Sequence, residues 1–312
     1  MNSQFAQDVL GGLSAKEKHL PSKYFYDING SQIFQEIMHM PEYYLTNSEF
    51  EILSLQAKKI IDTVGFKQPF NIIELGAGDG FKTFKLLEYL VKNNIEFNYV
   101  PIDISQKAID LLSSKLLEKL PNLSIQAKCG DYFKMLHQVK ATETPSLLLF
   151  LGSNIGNYCK ERANTLLGLF RKNMKKGDKL LIGVDLKKNP LIIQKAYMDD
   201  MGITKRFNLN LLLRINRELK ADFKIDDFDF YSYYNPDTGN VKSYIISLRN
   251  QKVHIKAINK TFDFRYNELI YTELSKKFSM EEIEELASDN DFKIIDNFLD
   301  CKHYFVDGLW EK

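Results

Sequence analysis

The feature that most constrains the fold is a glycine-rich turn between a predicted buried strand and a predicted helix. The apolar run Phe70–Ile73 leads into Glu74-Leu75-Gly76-Ala77-Gly78-Asp79-Gly80, and Lys82–Leu87 has the composition of a helix start. A strand that turns into a helix through glycines exposes bare backbone at the carboxyl edge of a parallel sheet. The turn therefore predicts either a site that a ligand approaches closely or a tight connection without a ligand.

The spacing of the glycines separates two kinds of cofactor. A dinucleotide fingerprint, G-x-G-x-x-G, would require a glycine at the position that Phe81 occupies. Here Gly76, Gly78 and Gly80 fall at every second residue, with the acid Glu74 just before them. Enzymes that use S-adenosylmethionine (SAM) have this form, since no pyrophosphate has to rest on the helix end. We interpret these four residues as part of a SAM site.

Three further predicted strands end in residues suited to a nucleoside. Asp103 follows the strand 97–102, and a carboxylate there can accept both ribose hydroxyls, although it could also be an acid at a helix start capped by Ser105. Asp131 can accept from an adenine amino group, and the backbone N–H of Tyr132 can meet a ring nitrogen. A fourth strand, 147–151, runs into Gly152. Four such ends predict one crevice that binds SAM.

The order of predicted elements indicates the fold class. Predicted strands at 70–74, 97–102, 123–128, 146–151 and 179–185 alternate with helices, beginning with one helix over 49–63 and including one over 132–138. This alternation is typical of a parallel α/β sheet. A capped helix start at Ser279 and Glu282 precedes two closing strands, 292–298 and 304–310. The pattern predicts a class I SAM-dependent methyltransferase, Rossmann-like with a seven-stranded sheet.

Between these parts the chain changes character. Residues 191–219 are helical in composition, residues 226–275 have strand patterning, and 235–240 has the residues of a hairpin turn. We therefore predict a SAM-binding domain of residues 48–186 plus 278–312. Residues 1–47 plus 187–277 are predicted to form a second α+β lobe that binds the substrate.

The amino-acid composition argues against several classes of binding partner. The 312 residues include 42 Lys and Arg against 41 Asp and Glu, a balance without the footprint of a nucleic-acid or anionic-membrane binder. No membrane span and no signal peptide are visible, and three cysteines and five histidines have no metal-ligand spacing. We expect a cytoplasmic protein without a bound metal, a monomer by default, that acts on a small molecule.

Nearly the whole chain resembles the histidine-specific SAM-dependent methyltransferases that make trimethylhistidine in ergothioneine biosynthesis. The N-terminal motifs are the most distinctive, because generic methyltransferases lack them. The matching segments are Pro21–Asp27, Gly30–Phe34, Met40–Thr46, Glu74–Gly80 with Lys82-Thr83, Pro101–Ser105, Leu151–Asn157, Ala196–Asp200 with Phe207-Asn208, and Thr272–Phe278.

The resemblance implies roles for residues around the amino-acid backbone of the substrate. Lys82 belongs to the cofactor motif. Asn157 and Tyr197 are implied to hold the carboxylate, and a phenol plus an amide supply donors without adding a cation beside the sulfonium. Tyr26 is implied to lie near the reacting amine and is the candidate catalytic residue, as a hydrogen-bond partner and proton relay.

The resemblance also implies an imidazole site. Tyr43 would bind the ring, through water, while Glu273 and Ser275 would bond its two nitrogens and so fix its tautomer and plane. Taken singly, each tyrosine fits half-buried packing and Glu273 fits a solvated ion pair. One departure concerns specificity: the family often has Glu-Met where this chain has Ile245-Ile246, and the Met lies near the substrate side chain.

Three other functions stay open at this point. The enzyme could methylate another amino acid such as tryptophan or tyrosine, or stop at one or two methyl groups, as Ile246 allows. It could bind SAM without turnover. An NAD-dependent oxidoreductase is disfavoured by Phe81.

Overall fold

The computed structural model describes residues 3–103, 106–130, 135–136 and 144–312. The predicted adenine contacts Asp131 and Tyr132, and most of the predicted helix 132–138, lie outside the described residues. The chain divides into two compact units. The larger unit comprises Leu45–Lys187 and Lys276–Lys312, and the smaller unit comprises Met1–Tyr44 and Lys188–Ser275.

In the described residues between Phe70 and Asp185 most successive strands are separated by a helix, and strands predominate after Phe228. The described helices are α1 (Gln4–Ser14), α2 (Ile28–Met38), α3 (Tyr44–Leu55), α4 (Ala57–Val64), α5 (Thr83–Lys92), α6 (Gln106–Lys119), α7 (Lys160–Asn173), α8 (Pro190–Tyr197), α9 (Ile203–Leu219) and α10 (Met280–Asp289). The described strands are β1 (Phe70–Leu75), β2 (Phe97–Asp103), β3 (Lys128–Cys129), β4 (Ser146–Phe150), β5 (Lys179–Asp185), β6 (Phe228–Asn235), β7 (Asn240–Ser247), β8 (Gln251–Ile255), β9 (Lys260–Phe264), β10 (Leu269–Lys276), β11 (Lys293–Leu299) and β12 (Phe305–Glu311).

The larger unit is built on a sheet that, in the described residues, has seven strands in the order β11-β12-β5-β4-β1-β2-β3. The central strands are parallel, and β12 runs antiparallel to both β5 and β11. Every residue of β1 is buried, as expected for a strand covered by helices on both faces. The predicted seven-stranded class I methyltransferase sheet, with its antiparallel closing pair, is confirmed.

The sheet order has a topological switch point between β1 and β4, where the side on which strands are added reverses. Strands β2 and β3 are added on one side of β1, whereas β4 and β5 lie on the other side. The loops that leave the carboxyl ends of β1 and β4 therefore diverge and leave a crevice, which is where open α/β sheets bind their ligands. The glycine turn follows β1 at this position.

Two predicted elements differ from the structure. The single helix predicted over 49–63 is two helices, α3 and α4, because Gln56 leaves helical geometry and its side-chain amide donates to the Leu299 carbonyl at 2.8 Å. The third strand is shorter than the predicted 123–128: β3 spans two residues, and an isolated bridge joins Tyr99 to Ile125. As an edge strand it gains pairing from β2 alone.

The smaller unit has its own apolar core. Strands β6 and β7 form the predicted hairpin, with Asn235 opposite Asn240, and β10 joins them in a sheet of order β10-β7-β6. Helices α2 and α9 pack together in this unit, and Phe25, Leu211 and Ile245 are completely buried in its core. Among the described residues of the whole chain, no helix has both the length and the apolarity needed to cross a membrane.

A buried ion pair joins two distant parts of the larger unit. The Lys277 ammonium lies 2.7 Å from the Asp185 carboxylate, and both side chains are inaccessible to solvent. Backbone hydrogen bonds from Phe278 to Asp185 and from Lys187 to Phe278 extend the connection. Removing one partner of such a pair leaves an uncompensated charge in the interior, which is far more costly than losing the pair's modest net attraction.

We expect Lys277→Met to lower the free energy of unfolding by about 3 to 5 kcal/mol. The matched control is Lys276→Met, at the neighbouring lysine, whose partly exposed pair with Glu282 should be worth no more than about 1 kcal/mol. Urea denaturation measures both, and Asp185→Asn combined with Lys277→Met should recover part of the loss. Equal losses at the two lysines would contradict the prediction.

Candidate active site

The glycine turn leaves one stretch of backbone open. Gly76, Gly78 and Gly80 all have positive φ, at 72°, 56° and 67°. A side chain at Gly80 would collide with Leu112 of α6, so helix packing accounts for that glycine. A Cβ at Gly78 would meet no described heavy atom within 4 Å. Packing therefore leaves Gly78 unexplained, and a ligand could approach its backbone closely.

The side chain of Glu74, in β1, is buried in the protein interior. Its buried carboxyl accepts a hydrogen bond of 2.5 Å from Thr83 Oγ1 at the start of α5 and another from the Tyr99 hydroxyl on β2. Burial raises the pKa of Glu74 to about 7, and the two hydroxyl donors oppose that rise. These contacts join β1 to the start of α5 and to β2. Direct cofactor binding by Glu74 stays a prediction.

Asp103 lies at the carboxyl edge of the sheet. It ends β2, is half-buried, and its carbonyl accepts from the Gly130 N–H at 2.9 Å. The Gly76 N–H donates to the preceding carbonyl, that of Ile102, at 2.9 Å. The glycine turn, Asp103 and the segment after β3 thus meet at one edge. A carboxylate beside open backbone fits the ribose and amino-acid parts of SAM, so these residues fit the cofactor.

Lys82 makes a contact that the sequence did not indicate. Its ammonium pairs with Glu49 of α3, and the other oxygen of that carboxylate accepts from the Gly152 N–H at 2.6 Å. The Glu49 side chain is completely buried. No pattern marked Glu49, because an acid on an amphipathic helix ordinarily faces solvent. Cofactor binding by Lys82 stays a prediction.

The raised pKa of Glu74 makes one consequence measurable. A carboxyl with a folded pKa of about 7 and an ordinary pKa of 4.5 keeps its proton in the folded state at pH values where the unfolded chain has lost it. Its contribution to stability is fully present below pH 4.5 and is lost as the pH rises through 7.

We therefore expect the stability advantage of the wild type over Glu74→Gln to fall by about 3 kcal/mol between pH 4.5 and pH 8. The glutamine has no titrating proton, so its own contribution does not change with pH. Urea denaturation of both proteins at half-unit pH intervals measures the difference. Parallel stability curves across this range would contradict the prediction.

An aromatic cluster in the smaller unit contains three of the predicted tyrosines. Its members are Tyr26, Phe34, Tyr43, Tyr197 and Phe207. Ring centroids lie 5.4 Å apart for Tyr26 and Phe34, 6.4 Å for Phe34 and Tyr43, and 6.3 Å for Tyr43 and Tyr197. Phe207 contacts both Tyr26 and Phe34, at 5.6 and 5.7 Å. Sequence reasoning gave no role to either phenylalanine, since apolar rings ordinarily serve packing.

The cluster continues into β10 through a hydrogen bond. The Tyr197 hydroxyl and Ser275 Oγ are 2.9 Å apart. Glu273 lies two residues before Ser275 on the same strand, so both side chains lie on one face of β10. The structure thus brings Tyr26, Tyr43, Tyr197 and the Glu273–Ser275 face together within the smaller unit.

Asn157 belongs to the larger unit and is exposed at the end of the 3₁₀ helix Asn154–Asn157. Three residues separate this short helix from the end of β4. A Cβ at the preceding Gly156 would lie 2.5 Å from the Lys276 carbonyl oxygen, so only glycine fits there. The backbone before Asn157 is therefore closely fixed.

A polar network fixes the backbone next to Tyr26. The Asp27 carboxylate caps α2 through the Gly30 N–H at 2.6 Å and accepts from Asn210 at 2.9 Å and Arg217 at 2.6 Å, both on α9. These donors lower the pKa of Asp27, although partial burial alone would raise it. Tyr26 itself is 47% exposed, so its side chain is accessible while its attachment point is held.

The departure from the family pattern falls on two different faces of β7. Ile245 is completely buried in the core of the smaller unit. Ile246 is half-buried on the opposite face, across from Asp229 of β6 and on the same face as Tyr244. A change at Ile246 can therefore alter that face without disturbing the core.

Comparison with known proteins found a matching family and several similar sequences. A model of the family described as "Histidine-specific methyltransferase, SAM-dependent" matches residues 5–312. A histidine N-alpha-methyltransferase of Mycolicibacterium smegmatis is 34% identical over 277 residues, 89% of this chain and 85% of the relative. An L-tryptophan methyltransferase of Psilocybe serbica is 26% identical over 297 residues, 86% of this chain and 81% of the relative.

Among solved structures, magnesium protoporphyrin IX methyltransferase from Synechocystis PCC 6803 is similar, with a TM-score of 0.49 and 13% identity over 93% of this chain and 97% of that one. The fold and the cofactor edge define a class I SAM-dependent methyltransferase. The chain belongs to the histidine-specific SAM-dependent methyltransferase family.

Proposed function

We propose that this enzyme transfers methyl groups from SAM to the α-amino group of L-histidine and gives trimethylhistidine. The observation that carries the proposal is the group in the smaller unit that ends in Tyr197, Ser275 and Glu273. A hydroxyl and a carboxylate on one strand face suit the two nitrogens of an imidazole. Relatives named histidine N-alpha-methyltransferase from two mycobacteria, each 34% identical, support the substrate.

The residues of this chain mainly orient the substrate. SAM, when bound, supplies an electrophilic methyl group on a sulfonium whose thioether leaves uncharged, so no acid is needed for the leaving group. Glu273 and Ser275 would hold the imidazole, and Tyr197 would donate to the substrate carboxylate. Asn157 is proposed as a second carboxylate donor on the strength of the family motif. Holding the nucleophilic nitrogen in line supplies most of the rate enhancement.

Tyr26 is proposed to serve the reacting amine. A free α-amine is mostly protonated at neutral pH, so a proton must depart before each methyl transfer. The hydroxyl of the exposed Tyr26 side chain can accept a hydrogen bond from the ammonium and pass the proton to water. The ring of Phe34, which is only partly buried beside Tyr26, supplies an aromatic surface that tolerates a methylated ammonium.

The imidazole assignment predicts a selective loss of affinity. We expect Glu273→Gln to raise the KM for histidine about tenfold to a hundredfold while the KM for SAM stays unchanged, because a charged acceptor for one ring nitrogen is lost. Glu268→Gln, near the start of β10 and paired with Lys18, is the matched control and should leave both constants unchanged. Steady-state kinetics at varied histidine and varied SAM measure the effect. An equal rise in both constants would argue against a specific contact.

A second candidate substrate is another amino acid. The Psilocybe serbica relative is named for tryptophan, and Ile246 replaces the Met of the family pattern. Mass spectrometry of the protein with SAM and each of the twenty amino acids separately decides between the two. Gains of one to three methyl groups on histidine alone support the proposal and count the transfers. Methylation of another amino acid moves the assignment to that substrate. The absence of any methylated product favours a SAM-binding role without turnover.

The biosynthetic pathway, the cellular location and the oligomeric state of the protein are also proposals. A relative from Schizosaccharomyces pombe named Ergothioneine biosynthesis protein 1 is 29% identical over 297 residues, covering 91% of this chain and 38% of the relative, which supports a role in ergothioneine biosynthesis. We propose a cytoplasmic monomer. In support of the cytoplasmic location, Cys159 and Cys301, both within the described residues, form no disulfide. Size-exclusion chromatography with light scattering tests the monomer.

A further inference from the structure

A cluster of charged groups lies at the switch point of the larger unit's sheet. Lys82 follows the glycine turn after β1, Gly152 follows β4, and Gly183 lies in β5 beside β4. Glu49 connects all three. Its carboxylate pairs with Lys82 and accepts from the Gly152 N–H at 2.6 Å, and a side chain at Gly183 would collide with it. The carboxylate therefore occupies the space that the missing Gly183 side chain leaves.

A second carboxyl group lies beside the first. Asp307 of β12, opposite Gly183, is completely buried, and in the described part of the chain neither of its oxygens has a hydrogen-bond partner. A Cβ at Gly183 would come within 3.2 Å of Asp307 Oδ1. Burial and the nearby Glu49 charge raise the pKa of Asp307 well above its usual value, which favours its protonated form.

Such an arrangement is costly for a purely structural core. A buried ion pair gains little over apolar side chains of the same size, and a second acid next to it adds a further penalty. Residues that break the rules of core design in this way concentrate at functional sites. The Lys82 side chain is 21% exposed, whereas Glu49 is completely buried. Glu49 thus holds the ammonium from the protein side, while part of the Lys82 side chain stays accessible to solvent.

We propose that Glu49 is a positioning residue that fixes the Lys82 ammonium at the switch point for the carboxylate of the methionine moiety of SAM. The Lys82 ammonium and the carboxylate of SAM carry opposite charges. The ammonium has three hydrogen-bond donors, of which Glu49 uses one. Holding Lys82 in place before the cofactor arrives reduces the side-chain ordering that binding would otherwise cost. The proposal depends on the proposed function only through the cofactor, because SAM binding does not require histidine.

Isothermal titration calorimetry with two ligands tests the proposal. S-adenosylhomocysteine carries the amino-acid carboxylate, whereas 5′-methylthioadenosine has the same adenosine and sulfur without it. Glu49→Gln keeps an acceptor for the Gly152 N–H but removes the charge that holds Lys82. We expect it to raise the Kd for S-adenosylhomocysteine about tenfold and to leave the Kd for 5′-methylthioadenosine within about twofold. Loss of histidine methylation as such would not produce this split.

Two further variants make the result specific. Lys82→Met should weaken S-adenosylhomocysteine binding at least as much, and adding Glu49→Gln to it should cause no further loss, because Glu49 acts through Lys82. Asp307→Asn perturbs the same buried cluster with a neutral group and should leave the ratio of the two Kd values unchanged. Equal weakening of both ligands by Glu49→Gln, unchanged S-adenosylhomocysteine binding, or an altered ratio in Asp307→Asn would each overturn the proposal.

Discussion

The parallel pairing of β1 with β4 is the constraint on which the larger unit depends. The two strands align Ile73 with Leu148 and Glu74 with Leu149, although more than 70 residues of chain separate them. This pairing places a strand from later in the chain beside β1, so the side on which strands are added reverses there. The loops that follow β1 and β4 therefore diverge at the carboxyl edge of the sheet. Because the glycine turn follows β1 and Gly152 follows β4, the pairing also places Lys82 and Gly152 around one carboxylate, that of Glu49.

Four buried carboxyl groups of the larger unit are accommodated in three physically different ways. Glu74 is stabilised by two hydroxyl donors and has a pKa of about 7. Asp185 and Glu49 each have an ammonium partner, Lys277 and Lys82. Asp307 has no hydrogen-bond donor to its side chain among the described residues, and its raised pKa favours the protonated form. The Asp185 pair is completely buried on both sides, which suits a structural tie, whereas the Glu49 pair leaves its lysine partly exposed, which suits ligand binding.

The sequence predicted the parts of the fold that follow local rules. The capping box at Ser279 and Glu282 is present with both hydrogen bonds, and the hairpin forms between Asn235 and Asn240. Periodicity failed at Gln56, where a tertiary hydrogen bond interrupts a pattern that remains helical on both sides. It also could not mark Glu49, because whether an acid on a helix faces solvent or an interior lysine depends on strands far away in sequence. The same limit applies to Phe34 and Phe207, whose neighbours come from separate segments.

Cofactor and substrate differ in how directly the chain encodes them. The SAM-type glycine spacing lies within seven consecutive residues, so local chemistry suffices to predict it. The residues proposed to bind histidine come from α8, β10, the segments on either side of α2 and the 3₁₀ helix Asn154–Asn157, and no single stretch carries their pattern. Only the resemblance in ordered motifs links all of them. Glu273 then gives a physical reason to favour histidine over tryptophan. An indole offers one donor and no acceptor, so it would leave Ser275 or Glu273 poorly matched, and mismatched buried polar groups discriminate far more strongly than a change of apolar volume at Ile246.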